Sequence, residues 1–195
     1  VEEPEQRGER RFVIEEKSQP FYIEGYHTVS SKNPDAQPLE VLSQILSGGR
    51  TSRLYKRMVE EDQTALNVGA FNGFPGDKYQ SMFLTYVVPN LGVDMDVVVE
   101  TLRDEIQRVK DGDITSQELK RAKTNLRANF IRGLDSNQGL AMRFAAAEAT
   151  HGSWKRVFEE VEMLEAVTVD DIQRVANTYL IKKNRTVGMI QTASD

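Results

Sequence analysis

Between residues 94 and 179 every apolar stripe recurs at helical spacing, and every strand-like segment falls outside that stretch. Helices gathered in one block of sequence do not alternate with strands as crossovers of a parallel sheet. They must instead cover one face of a sheet assembled from the rest of the chain. Within the block, Val98, Leu102, Ile106 and Val109 form one stripe, ended by Gly112. Thr115 and Glu118 make a capping box for a helix carrying Leu119, Ala122, Leu126 and Phe130, ended by Gly133. Ser136 or Asn137 opens another, with Leu140, Phe144 and Ala147, closed near Gly152. Trp154, Val157, Phe158, Val161 and Leu164 give a short fourth helix. Thr168 caps a fifth, with Ile172, Val175, Ala176 and Tyr179.

Strands bracket this block. Residues 11–16 and 21–26 read as two short strands joined by a turn over 17–20. Residues 64–71 and 79–88 are two more, separated by the turn cluster Asn72-Gly73-Phe74-Pro75-Gly76-Asp77. The second of these is apolar on both faces, Phe83 and Val87 against Met82, Leu84, Tyr86 and Val88, which predicts a central strand. Residues 185–191 close the chain as a strand. Pro34 and Pro38 precede a helical run, Leu39, Leu42, Ile45 and Leu46, that stops at Gly48-Gly49. A second helix follows over 52–61, with Thr51 or Ser52 as its cap. The order is β-β-α-α-β-β, then helices, then a final β-strand. Tight turns between successive strands predict an antiparallel sheet with helices on one face, an α+β fold. Residues 10–195 read as a single domain. The Glu-rich residues 1–9 read as a solvated linker from an upstream domain missing from this chain, which begins with Val1.

Composition narrows the chemistry. Hydrophobic residues at 39% and charged residues at 28% suffice for a buried core. A net charge of -5 argues against a nucleic-acid partner. With no cysteine, disulfides, thiolate nucleophiles and thiolate metal ligands are excluded. No apolar run approaches the roughly 18 residues of a membrane-spanning helix, so no transmembrane segment is expected.

The two histidines, His27 and His151, lie far apart, and neither H-x-x-E-H nor H-E-x-x-H occurs. Glu148 and His151 share a helix face, but a single such pair beside Gly152 reads better as a helix C-terminus with a favourably placed His. His27 ends a strand and reads as an ordinary surface or core histidine. Gly48-Gly49-Arg50-Thr51-Ser52 precedes a helix as an anion site would, yet it follows a helix and lacks the P-loop Lys. Lys120, Lys123 and Arg127 form a solvated charged face. From the residues alone, the chain is an α+β domain without a self-contained active site.

One segment says more. Gly48-Gly49-Arg50-Thr51-Ser52-Arg53-Leu54-Tyr55 resembles the signature opening the second helix in the C-terminal domain of insulinase-like (inverzincin) zinc peptidases. Looser matches run from Gly8-Glu9-Arg10-Arg11 through Gly25-Tyr26-His27 and Asp35 to the late helices, so the resemblance spans nearly the whole chain. It implies a non-catalytic half of a metalloendopeptidase, with Gly49, Ser52, Arg53, Leu54, Tyr55 and Glu60 as mainly structural motif positions. It implies no catalytic or metal residue here and no cofactor in this chain, the zinc being expected in the missing upstream domain. Clamp-type members bind substrate backbone through an Arg and a Tyr at positions matched here by Val59 and Leu66. Neither side chain can donate a hydrogen bond, so both are expected to pack. The implied partners are the upstream zinc-bearing domain, a peptide substrate and a paralogous subunit supplying the missing clamp. The resemblance also suggests a periplasmic or secreted bacterial setting. A catalytically inert peptidase-derived scaffold, or an unrelated α+β binding module, are the alternatives.

Overall fold

The computed structural model describes residues 4–192. Strands β1 (Arg10–Glu16), β2 (Phe21–Thr28), β3 (Ala65–Phe74), β4 (Ser81–Pro89) and β5 (Arg185–Thr192) form one five-stranded sheet in the order β1-β5-β2-β4-β3. The helices are α1 (Ala36–Ser47), α2 (Met95–Lys110), α3 (Ser116–Gly133), α4 (Asn137–His151), α5 (Glu160–Ala166) and α6 (Val169–Tyr179). The α+β class is as the segregated pattern predicts. None of these helices is long and apolar enough to cross a membrane.

The sheet departs from the antiparallel reading at one edge. β2–β4, β2–β5 and β3–β4 are antiparallel, but β1 runs parallel to β5, so the sheet is mixed. β1 and β2 are therefore not a hairpin: the final strand inserts between them. Burial explains why. β1 is exposed along its whole length and suits only an edge. β2 buries Tyr22, Glu24 and Tyr26 and needs a neighbour on each side.

Inward-facing Tyr22, Tyr26, Phe83, Val87, Val187 and Met189 meet the helices across one continuous core. α1 buries Leu39, Leu42 and Leu46; α2 buries Val98, Leu102 and Val109; α6 buries Ile172, Val175 and Ala176. The predicted capping box of Thr115 with Glu118 forms, and the predicted cap Thr168 forms one too, with Asp171. Ser136 caps α4 by accepting from the Gly139 N–H. The segment expected as one helix over 154–164 is instead a 3-10 turn, Trp154–Phe158, followed by α5.

α4 stands apart, with Ala147 as its buried residue. It is tied back by an Arg143–Glu160 ion pair of 3.1 Å and by the Arg143 guanidinium 4.5 Å from the Phe130 ring. Lys123 and Arg127, read as a solvated face, reach Glu165: Lys123 Nζ donates to its carbonyl at 2.6 Å.

The stretch read as a solvated linker is partly packed. Residues 1–3 lie outside the described residues, but Gln6 is buried and donates to the Arg185 carbonyl at 2.8 Å. Arg185 Nε donates to Glu9 at 2.6 Å. Polar composition alone did not reveal these contacts with β5.

Candidate functional site

The signature segment begins where α1 ends. A side chain on Gly48 would place its Cβ 2.4 Å from the Gln44 carbonyl oxygen, so only glycine fits. Gly49 has φ +88, a left-handed conformation that residues with a Cβ rarely adopt. The pair therefore turns the chain sharply out of α1. Ser52, expected as a helix cap, does the reverse of capping. Its hydroxyl donates to the Gly49 carbonyl at 2.6 Å, closing the turn from inside.

The helix that follows is π-helical over Tyr55–Glu61, with the Asp62 N–H bonded to the Arg57 carbonyl. Leu54 and Met58 are fully buried and anchor it to the core. Ser47, the last residue of α1, holds the neighbouring strand. Its hydroxyl donates to the Ala70 carbonyl at 2.8 Å and accepts the Ala70 N–H at 2.7 Å. β3 is an edge strand, so this serine occupies main-chain groups that would otherwise be open to another strand.

Arg53 is the electrostatic centre of the segment. Its side chain is 8% exposed and forks onto Glu118, with Nε to Oε1 at 2.7 Å and Nη2 to Oε2 at 3.0 Å. Nη2 also donates to the Asp113 carbonyl, and Nη1 lies 3.9 Å from Glu105 and 3.7 Å from the Asp113 carboxylate. Glu118 in turn accepts the Thr115 N–H and hydroxyl. Burial pushes the Glu118 carboxyl upward, but hydrogen bonds from Arg53 and Thr115 outweigh it and hold the pKa down to about 2. One carboxylate thus caps α3 and locks the signature segment to the α2–α3 connection. Arg53 is held by the fold and is not free to bind a substrate group.

The remaining motif positions divide. Tyr55 and Val59 pack against the core, whereas Glu60 is exposed. Leu66, expected to pack, is 57% exposed at the start of edge strand β3. The expectation rested on its apolar side chain alone, which does not fix its place in the sheet; a bulge between Ala65 and Asn67 interrupts the alternation at this edge.

The two histidines are not brought together. His27 lies in β2, where its carbonyl accepts from Asn184, and His151 ends α4. Burial, then the nearby Arg156 charge, lowers the His151 pKa. Among the described residues no group of three or more His, Cys, Asp or Glu is placed to hold a metal ion.

Sequence reading missed the most deeply buried charge. Glu24, 0% exposed, accepts from Tyr22 at 2.5 Å, Tyr26 at 2.6 Å and Arg103 Nε at 2.8 Å. Burial and the adjacent carboxylate raise both tyrosine pKa values. The only available signal was Tyr22-Ile23-Glu24-Gly25-Tyr26, which puts all three polar groups on one face of a strand. This network joins sheet to helix, and Arg185, paired with Glu9, lies 3.7 Å from the Glu24 carboxylate.

A family model described as the peptidase M16 inactive domain matches residues 1–126. The zinc protease PqqE of Helicobacter pylori is 28% identical over 183 residues, 92% of this chain and 40% of that protein. A solved structure of a protease from Helicobacter pylori is similar with a TM-score of 0.88 at 25% identity, covering 96% of this chain and 45% of that one. A structure from Bordetella parapertussis, described as an inactive peptidase domain, shares the fold with a TM-score of 0.79 at 23% identity, covering 90% of this chain and 93% of that one. The chain thus spans less than half the length of the two Helicobacter pylori proteins it matches.

Proposed function

Because this chain belongs to the peptidase M16 inactive-domain family, we propose that it is the non-catalytic half of a zinc-dependent metalloendopeptidase, forming one wall of a peptide chamber opposite a zinc-bearing domain. The observation that carries this reading is the use made of the signature segment. Its buried cation, Arg53, is locked onto Glu118 and the apolar residues Leu54 and Met58 are buried, so the core of the segment supplies shape. Such a wall acts by excluding water and by holding an extended peptide against groups on the other half. Zinc and the groups that activate water belong, on this reading, to the part of the protein outside this chain. Val59 and Leu66 offer the peptide no hydrogen bonds, and a paralogous subunit supplies the missing clamp.

The test uses the full-length protein. A photo-crosslinking residue at the exposed Leu66 position should capture a labelled peptide when the metal is chelated and cleavage is blocked. No crosslink at Leu66 would overturn the wall. Changing His27 and His151 to Gln should leave zinc stoichiometry unaltered, and loss of the zinc would place its site here. Failure of the full-length protein, alone and with its paralogue, to cleave any peptide would favour the inert-scaffold reading.

A further inference from the structure

The two edges of the sheet are built differently. β3 is blunted: its register with β4 shifts twice, and Ser47 holds the main chain of Ala70. β1 is not. Its seven residues stay in unbroken parallel register with β5, from Arg10 opposite Thr186 to Glu16 opposite Thr192. It holds no proline and no bulge. Every residue in it is exposed, and the apolar Phe12, Val13 and Ile14 at its centre are 53%, 45% and 49% exposed. Among the described strands none lies on its outer side, so its outward N–H and C=O groups are open to pairing. Native edges are ordinarily protected by bulges, proline or a charge in mid-strand, and an edge without them is a template for another strand.

The residues of β1 are sorted by charge. Arg10 and Arg11 open the strand, Phe12, Val13 and Ile14 fill the middle, and Glu15 and Glu16 close it. Turned end for end, this order is its own complement. An antiparallel pair of β1 strands centred on Val13 sets Arg10 opposite the partner's Glu16, Arg11 opposite the partner's Glu15, Phe12 opposite the partner's Ile14, and the two Val13 residues opposite each other. Alternate residues point to opposite faces of a sheet, and every one of these pairs keeps to one face. Opposite charges and apolar side chains directly across a strand pair are favourable, and like charges are not. A register shifted by two residues sets each charge opposite an apolar residue or beyond the strand. A parallel pair in register stacks Arg on Arg and Glu on Glu.

We propose that β1 is a dimerisation edge, through which two copies of the protein join their five-stranded sheets about a two-fold axis at Val13. Charge complementarity selects the occupant. An extended peptide of arbitrary sequence could use the open main-chain groups, but it would not match charges sorted in this way. A second copy matches both, because one self-complementary patch serves each side of a two-fold. A single strand pair is small beside the roughly 1,200 Å² of a standard interface, so the association is reversible. It goes beyond the chamber-wall reading and holds whether or not the protein cleaves peptides.

Sedimentation velocity of the full-length protein over a concentration series tests it, with two charge-reversed variants. One carries Arg10→Glu and Arg11→Glu, the other Glu15→Arg and Glu16→Arg. All four side chains are exposed, so neither variant disturbs the core. The expected result is a reversible wild-type dimer that each variant, alone, weakens by at least about tenfold, because every ion pair becomes a like-charge pair. An equimolar mixture of the two variants should dimerise again, since each reversed charge then meets its opposite. A protein that stays monomeric, an assembly that neither variant weakens, or a mixture that does not recover would each overturn the proposal. Val13→Cys gives a second measurement with the charges left in place, in a chain that has no cysteine. Residues directly opposite in an antiparallel pair lie within disulfide reach, so oxidation should link two copies through this position. Phe12→Cys, which is two residues out of register with its own copy, should not link. No disulfide at Val13, or equal yields at both positions, would overturn the pairing.

Discussion

Replacing Arg53 with Met tests whether the signature segment is held as described. The substitution keeps the buried stem and removes the guanidinium, leaving Glu118 without its fork and the Asp113 carbonyl without its donor, while Glu105 keeps Arg108. Removing one member of a fully buried pair costs about 3–5 kcal/mol. Glu118 is 16% exposed and Asp113 47% exposed, so solvent compensates in part and about 2–3 kcal/mol is expected. The depressed carboxyl pKa, which follows from the same contacts, gives a figure of the same order. A fall from 4.5 to about 2 corresponds to roughly 3 kcal/mol, of which Thr115 contributes a share that the substitution leaves in place. Because the folded pKa is depressed, this stability is present above the unfolded value and is lost as pH falls from about 4.5 towards 2. The gap between wild type and Arg53→Met should therefore be full at neutral pH and shrink across that acid range. Urea unfolding followed by far-ultraviolet circular dichroism, repeated down the pH scale, measures it. Arg53→Lys, which keeps the charge but not the fork, should fall between the two. A neutral-pH gap below about 0.5 kcal/mol, within the range of an exposed ion pair, or a gap independent of pH, refutes the lock.

Glycine substitutions should separate two causes at the break after α1. Gly49→Ala meets no atom within 4 Å and should cost only the strain of positive φ, about 1 kcal/mol. Gly48→Ala drives its Cβ into the Gln44 backbone and should cost clearly more, so a reversed order in thermal unfolding would count against the geometry. Glu24→Ala should be severely destabilising, about 3–5 kcal/mol, by leaving Arg103 and two tyrosine hydroxyls without their acceptor. A change under 1 kcal/mol in urea would mean water replaces the carboxylate. Ser47→Ala should cost about 1–2 kcal/mol and speed hydrogen exchange at the Ala70 amide, which loses its acceptor. Unchanged exchange there would show that the edge of β3 is guarded by something else.

Which of these features the sequence announces depends on whether the cause is local. The caps at Thr115 and Thr168, the stop at Gly48-Gly49 and the stripes of α1, α2 and α6 all arise within a few residues, and these form where the pattern places them. Strand partnership is not local. The turn after β1 resembles a hairpin turn, yet β5, far along the chain, lies between β1 and β2. The Arg53–Glu118 fork is hidden for the same reason: each residue has a sufficient local reading, as helix charge and as helix cap, and nothing in the pattern joins them. Leu66 was misplaced because an apolar side chain alone does not say whether its strand lies at the edge of the sheet, as β3 does.

β4 is the more instructive case. Its apolar residues on both faces predict a central strand, and β4 is indeed interior to the sheet. Interior within a sheet and covered on both faces are different conditions, however. Phe83 and Val87 are fully buried beneath the helices, while Met82, Leu84 and Tyr86 lie on the face without helices. The helices cover one face of β4, and the apolar pattern of the other face contributes to a groove shared with Phe21, Phe71 and Phe74. Two-faced apolarity therefore locates a strand within its sheet without saying how many layers cover it.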